Sequence, residues 1–151
     1  MIKKLDNSNA EAAEQIYIVF QDSYKIEAQF IGVSFCHFPP LSRRIEDIKS
    51  AETLFYGYFV NGQLVGVIEV STKQTQLKIN SLTVHPAFFK QGIAGKMISY
   101  VLTAFDCNQA IVETAVANTP AINLYKKVGF VEFKQWVPSH GIPKVAMSKP
   151  L

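Results

Sequence analysis

The sequence predicts an α/β (α+β) fold: a mixed, mostly antiparallel central sheet of about six to seven strands, with helices on both faces. Turn chemistry and periodicity carry this prediction. Asn61-Gly62 separates two runs rich in aromatic and β-branched residues, which marks a hairpin and antiparallel neighbours. Residues 76–116 read as strand, helix, strand, which implies a parallel pair joined by a right-handed crossover. Apolar stripes at helical spacing lie before, within and after these strands, so helices can cover both faces.

Residues 2–5 read as a short first strand. Ser8-Asn9-Ala10-Glu11 is a capping-box pattern that starts a helix. Ala12, Ala13, Ile16, Val19, Phe20, Ser23 and Tyr24 follow at spacings of three and four, as one buried face would. That helix, or a second piece, extends toward Phe30. Residues 31–41 differ. Gly32, Pro39 and Pro40 punctuate them, and Phe35 and Phe38 load them with aromatics, so an ordered loop packed over something is expected. Ser42 can cap a short helix near residues 43–50. Residues 53–60 and 63–71 are the hairpin strands; Asn61 and Gly62 both accept positive φ, which suits a type I′ turn. Residues 76–85 form the next strand, closed by Pro86. A helix over residues 90–105 sets Ile93, Met97, Val101 and Phe105 four apart. Residues 110–116 read as a buried strand. Thr119-Pro120 places a cap residue before a proline at the first helical position, and Gly129 ends that helix. Residues 130–137 and 144–149 are the last strands.

A chain of 151 residues is expected to be one domain, residues 1–151, with a core that needs no disulfide or metal. Hydrophobic residues make up 48% and charged residues 18%, a composition that excludes disorder. No apolar run approaches the roughly 20 residues of a membrane helix. The first residues lack the apolar centre of a signal peptide, so a cytoplasmic location without membrane contact is expected. Cys36 and Cys107 form no CxxC pair and are expected to be reduced thiols. Fifteen Lys and Arg against twelve Asp and Glu, scattered along the chain, do not call for nucleic acid, while anionic small molecules remain open.

The informative stretch is residues 81–96. A strand ends at Val84-His85-Pro86, and a helix opens around Gln91, Gly92, Ile93, Ala94, Gly95 and Lys96. A first helical turn offers unpaired N–H groups and partial positive charge, which suit a phosphate. Gly92, Ala94 and Gly95 are small enough for close approach, and Lys90 and Lys96 add charge. The same small residues would also let a helix pack tightly on a strand. Two known phosphate motifs fail: Gly95-Lys96 is followed by Met97, not Ser or Thr, and Gly92-x-Ala94-Gly95 does not match G-x-G-x-x-G.

Two segments together resemble the GCN5-related N-acetyltransferase (GNAT) family. Leu82-Thr83-Val84-His85-Pro86 through Gly92-Ile93-Ala94-Gly95 is similar to its acetyl-CoA motif Q/R-x-x-G-x-G/A, with Phe89 at the Q/R position. Asn118 through Phe130 is similar to its more specific N-x-x-A-x-x-L-Y-x-x-x-G-F, with Asn118, Ala121, Leu124, Tyr125, Gly129 and Phe130 in place. The resemblance implies two central parallel strands that splay apart, with the pantetheine arm of acetyl-CoA between them. It implies backbone contacts from Leu82, Thr83 and Val84, pyrophosphate at residues 91–96 with help from Lys90, and arm contacts from Asn118 and Ala121. Tyr125 is implied beside the sulfur, and a homodimer is suggested by family habit.

Acetyl transfer to an amine needs a neutral nucleophile, good alignment, and support for the oxyanion and leaving thiolate. No covalent enzyme intermediate is required. Tyr125 is then the candidate proton donor to the thiolate, against the alternative of a packed helix tyrosine. Glu113, on the strand that should border the acceptor, and Glu69, in an apolar strand whose burial would raise its pKa, are candidate bases; either could equally be structural. Phe30, Phe35 and Phe38 fall where an acceptor-binding loop is implied, or they cap the core. Trp136 and His140 lie in the other segment that would border the acceptor. The implied reaction joins acetyl-CoA to a small-molecule or peptide amine. A non-catalytic acyl-CoA-binding domain of the same fold is the alternative; a flavodoxin-like phosphate module is opposed by the hairpin.

Overall fold

The computed structural model describes residues 1–151. Its elements are β1 (Ile2–Leu5), α1 (Ala10–Ile31), α2 (Ile45–Ser50), β2 (Leu54–Val60), β3 (Gln63–Lys73), β4 (Gln76–Val84), α3 (Ile93–Ala104), β5 (Gln109–Ala115), α4 (Thr119–Val128), β6 (Val131–Trp136) and β7 (Lys144–Pro150). Short 3-10 turns at Phe35–His37, Pro39–Ser42 and Pro86–Phe88 complete the connections. The strands form one seven-stranded sheet in the order β1-β2-β3-β4-β5-β7-β6. Every neighbouring pair is antiparallel except β4 and β5, so the mixed sheet with one parallel pair is as expected. Asn61 and Gly62 take φ of 50° and 80°, the pair of positive values a type I′ turn requires. No helix is long and apolar enough to cross a membrane.

β3 lies well inside the sheet and is buried from Leu64 to Val70. Its Val67 packs with the apolar stripe of α1 (Ala13, Ile16, Val19, Phe20), with Ile48 of α2 and with Phe55 of β2. Its Ile68 and Val70 pack with Ile93, Met97, Ile98 and Val101 of α3 and with Tyr125 of α4. Helices α1 and α2 therefore cover one face and α3 and α4 the other. Removing the buried Phe20 ring by alanine substitution would cost about 3–5 kcal/mol.

The helix starts differ from expectation by a residue or two. α1 is capped by Asn9, whose Oδ1 accepts the Ala12 N–H at 3.0 Å, while Ser8 Oγ donates to Asp6. α2 starts after Arg44, whose N–H donates to Asp47 Oδ2 at 2.8 Å, and Ser42 Oγ donates to Pro39 O. α4 is capped by Asn118, whose Oδ1 accepts the Ala121 N–H at 3.3 Å, so Thr119 is already helical. Of the two expected alternatives the continuation holds: α1 runs unbroken to Ile31, so one helix carries Phe30.

The feature that positions the site is where β4 and β5 part. Their ladder runs from Gln76↔Gln109 to Ile79↔Val112 and stops. Across the other edge of β4, Glu69 faces Ser81 while Val70 faces Ile79, so Asn80 is an extra, bulged residue. Such a bulge bends its strand. Beyond it β4 stays paired to β3 as far as Val84↔Gly66, and its β5-facing edge is left without a partner.

Candidate active site

Two cavities meet at this gap. One, of about 550 Å³, reaches from the gap to the start of α3 and is walled by Val84, Lys90, Gly92, Ile93, Ala94 and Gly95, with Ile26, Phe30, Phe88, Phe89 and Leu124 around them. The other, of about 570 Å³, lies between the 3-10 loop, the diverging strands and the segment before β7; Tyr24, Phe38, Arg43, Ser81, Glu113, His140 and Lys144 are among its walls. Five residues belong to both: Glu27, Leu82, Asn118, Ala121 and Tyr125. An extended donor in the first cavity and an acceptor in the second would meet at those five.

In the first cavity, Gly92 sits at φ 77°, a conformation that costs glycine little, and forms the N-cap of α3. The first helical bond is Lys96 N–H to Gly92 O at 3.1 Å. The N–H groups of Ile93, Ala94 and Gly95 thus have no acceptor within the helix and are free for an anion. Lys90 lines this cavity as expected. Lys96 does not: its backbone N–H is spent and its ammonium lies over the Tyr58 ring, 6.0 Å from the centroid. Gln91 is exposed and outside the wall. Leu82 and Val84 line this cavity, whereas Thr83 lines neither cavity and its Oγ1 donates to Val67 O at 3.4 Å.

At the junction, Asn118 joins two elements. Its Oδ1 caps α4 and its Nδ2 donates to Glu27 Oε1 of α1 at 2.8 Å. Burial pushes the Glu27 carboxyl up to about 7, although the Asn118 donation and the Lys144 charge pull it back. Tyr125 is 4% exposed and packs edge-on against Phe130, with ring centroids 5.5 Å apart. Its hydroxyl has no hydrogen-bond partner in the protein, yet no buried polar side-chain atom is left unpaired, so that hydroxyl opens on the cavities. Burial, and then the nearby Glu27 charge, raise its pKa well above the ordinary tyrosine value.

The second cavity revises several expectations. Glu69 is not poised as a base. Its carboxylate accepts from Arg43 Nη1 at 2.7 Å and Nη2 at 3.0 Å, from Thr53 Oγ1 at 2.6 Å and from Ser81 Oγ at 2.9 Å. Burial pushes its pKa up, but the Arg43, Thr53 and Ser81 contacts together hold it below the usual glutamate value. Glu113 does line this cavity, tied to Lys144 at 3.3 Å and to Lys78 at 3.9 Å. Of the loop aromatics only Phe38, 5% exposed, faces the second cavity. Phe30 lies near the end of α1 and walls the first cavity; Phe35 is exposed and lines neither. The sequence reading missed Glu27, although it lies three residues beyond Tyr24 and seven beyond Phe20 on the apolar stripe of α1. An acid on such a stripe is the signal.

Comparison with known proteins agrees with this geometry. The sequence model of the acetyltransferase (GNAT) domain matches residues 11–151. The UPF0157 protein YqkA of Bacillus subtilis is 36% identical over 131 residues, covering 86% of this chain and 38% of that protein. An N-alpha-acetyltransferase of Sulfurisphaera tokodaii is 28% identical over 106 residues, covering 60% of this chain and 64% of that one. N-alpha-acetyltransferase 30 of Dictyostelium discoideum is 34% identical over 92 residues, covering 56% and 49%. The chain thus spans from about two fifths to just under two thirds of these relatives' lengths. Among solved structures, the PaiA N-acetyltransferase of Thermoplasma acidophilum in complex with coenzyme A superposes with a TM-score of 0.80 at 19% identity, covering 100% of this chain and 98% of that one. A type Ii aminoglycoside 6'-acetyltransferase superposes at 0.74 and 16% identity, covering 99% and 96%. By the domain match over residues 11–151, the chain belongs to the GNAT acetyltransferase family.

Proposed function

We propose that this domain transfers an acetyl group from acetyl-CoA to a primary amine of a small molecule or peptide, by direct attack within a ternary complex. The observation that carries the reading is the meeting of two cavities at Glu27, Asn118 and Tyr125, where β4 and β5 part. The acetyltransferases named among its relatives and structural neighbours, for aminoglycosides, streptothricin and the ribosomal protein S18 alanine, support an amine as acceptor.

Acetyl-CoA would lie in the donor cavity, its phosphates at the free N–H groups of Ile93, Ala94 and Gly95 and its arm along the open edge of β4. Lys90 adds charge there; Phe89, where a polar side chain is usual, leaves most of the anion binding to the backbone. Glu27, with a pKa near 7, takes a proton from the amine directly or through one water. The neutral amine attacks the thioester carbon, and the open backbone edge of β4 offers N–H donors to the oxyanion. On collapse the C–S bond breaks, the electron pair leaves on sulfur, and the attacking nitrogen gives its extra proton to water, leaving a neutral amide. Tyr125 donates a hydrogen bond to that sulfur. An ordinary thiol has a pKa of about 8.5, below that of Tyr125, so full proton transfer is uphill and the hydroxyl works chiefly by stabilising the thiolate. Glu113 shapes the acceptor wall, and Glu69 has a positioning role.

A non-catalytic acyl-CoA binder would need the donor cavity alone. A second cavity of similar size, with a carboxyl poised near neutral pH at the junction, favours turnover. Thiol release from acetyl-CoA across a panel of amines decides between them: amine-dependent release supports transfer, and CoA binding without release for any amine refutes it.

A further inference from the structure

We infer that Arg43 and Glu69 act as one positioning unit for the acceptor, pinning the loop that walls the acceptor cavity to the strand at which β4 bends. The acceptor's identity rests on the acetyl-transfer reading; the pinned loop does not.

Arg43 directly follows the 3-10 turn Pro39–Ser42, and Phe38, Pro39, Pro40, Ser42 and Arg43 all line the acceptor cavity. Its guanidinium forks onto Glu69 at 2.7 Å and 3.0 Å and rests against the rings of Phe20 and Phe55, each 5.6 Å from its centre. A planar fork bonded to a carboxylate and packed against two rings fixes direction as well as charge, which an ammonium cannot do. Glu69 is 3% exposed, and each of its oxygens accepts twice: Oε1 from Arg43 and Ser81, Oε2 from Arg43 and Thr53. Ser81 is its cross-strand neighbour and immediately follows the bulged Asn80. One carboxylate therefore ties the loop, the residue before β2, β3 and the bend of β4.

The other side-chain hydrogen bonds of this loop do not reach the sheet. Gln21 of α1 donates to Leu41 O at 3.1 Å, Ser34 pairs with His37 at 2.7 Å, and Ser42 donates to Pro39 O. Arg43 is the loop's one polar tie to the strands that carry the reaction centre. A buried ion pair of this kind adds little net stability over well-packed neutral groups, because desolvation offsets its attraction. Its value here is geometric: without it the acceptor wall can drift relative to β4, and misplacement of about 1 Å is enough to cost catalysis roughly 100-fold.

The test compares wild type, Arg43→Lys, and the double variant Arg43→Met with Glu69→Gln, which removes both charges while the Gln amide accepts from one of the Thr53 and Ser81 hydroxyls and donates to the other. The expected result is a double variant that melts close to wild type, with acceptor kcat/KM lowered by about 10- to 100-fold. Its acetyl-CoA KM and the ionisation near pH 7 should not move, and amide exchange across residues 35–43 should speed up while β3 stays protected. Arg43→Lys should recover part of the loss. Wild-type acceptor kinetics with unchanged loop exchange would overturn the inference, as would collapse of the double variant's stability, which would make the pair a support of the fold. If wild type itself turned over no amine, the acetyl-transfer reading would fail, and the exchange measurement would still decide whether the pair pins the loop.

Discussion

Glu27 and Tyr125 sit on helices from opposite faces of the sheet, yet the Glu27 charge helps to raise the Tyr125 pKa across the gap. If Glu27 is the base, kcat/KM for the amine should rise with pH through about 7 and level off, and Glu27→Gln should lose that ionisation along with most of the rate. The same residue makes a stability prediction. The folded protein keeps this proton up to about 7, whereas an unfolded glutamate releases it near 4.5. Between those values the folded state binds more protons, so Glu27's contribution to stability falls as pH rises. Glu27→Gln should therefore gain in melting temperature relative to wild type between pH 4.5 and pH 8; a constant difference would show that the carboxyl is not held protonated. Tyr125→Phe keeps the ring on Phe130 and deletes only the O–H. It should fold and bind acetyl-CoA normally, with kcat lower by about ten-fold or more where chemistry limits the rate, the scale of one lost hydrogen bond to a charged group. An unaltered kcat would make the hydroxyl structural.

At the scale of elements, the start of α3 and the end of α1 form the donor cavity while the 3-10 loop forms the acceptor wall. Gly92→Val should weaken CoA binding, since a β-branched residue at φ 77° is strained and would crowd the approach to the free N–H groups; an unchanged Kd in a folded variant would contradict that. Phe30→Ala should lower CoA affinity and leave the acceptor KM alone, while Phe38→Ala should do the reverse. Titration calorimetry with CoA and acceptor kinetics separate the two. These elements also show what can be read from a sequence. The hairpin, the parallel pair and the helix-start motif depend on neighbours a few residues apart, and all stood in the sequence. Glu27 did not, because its meaning comes from Asn118, 91 positions away. Glu69 was misread for the same reason: the isolated strand shows an acid in an apolar run, and the neutralising Arg43 lies 26 positions earlier in another element. Phe30 was grouped with the aromatics of the following loop, whereas it lies in the last turn of α1 and lines the cavity at the start of α3.

In the whole molecule, the two helical layers hold the sheet shut everywhere except where the β4 bulge ends the ladder with β5 at Ile79↔Val112. Each cavity reaches that opening from a different side, and together they leave room for a donor and an acceptor at once. The proposed direct transfer calls for sequential binding and no acetylated protein between steps. The most direct test is initial-rate thiol release with acetyl-CoA and an accepted amine varied together. Double-reciprocal lines that intersect, with thiol release strictly dependent on the amine, are the predicted result. Parallel lines with a burst of thiol before amine is added, or CoA binding with no amine-dependent release at all, would contradict direct transfer at this junction.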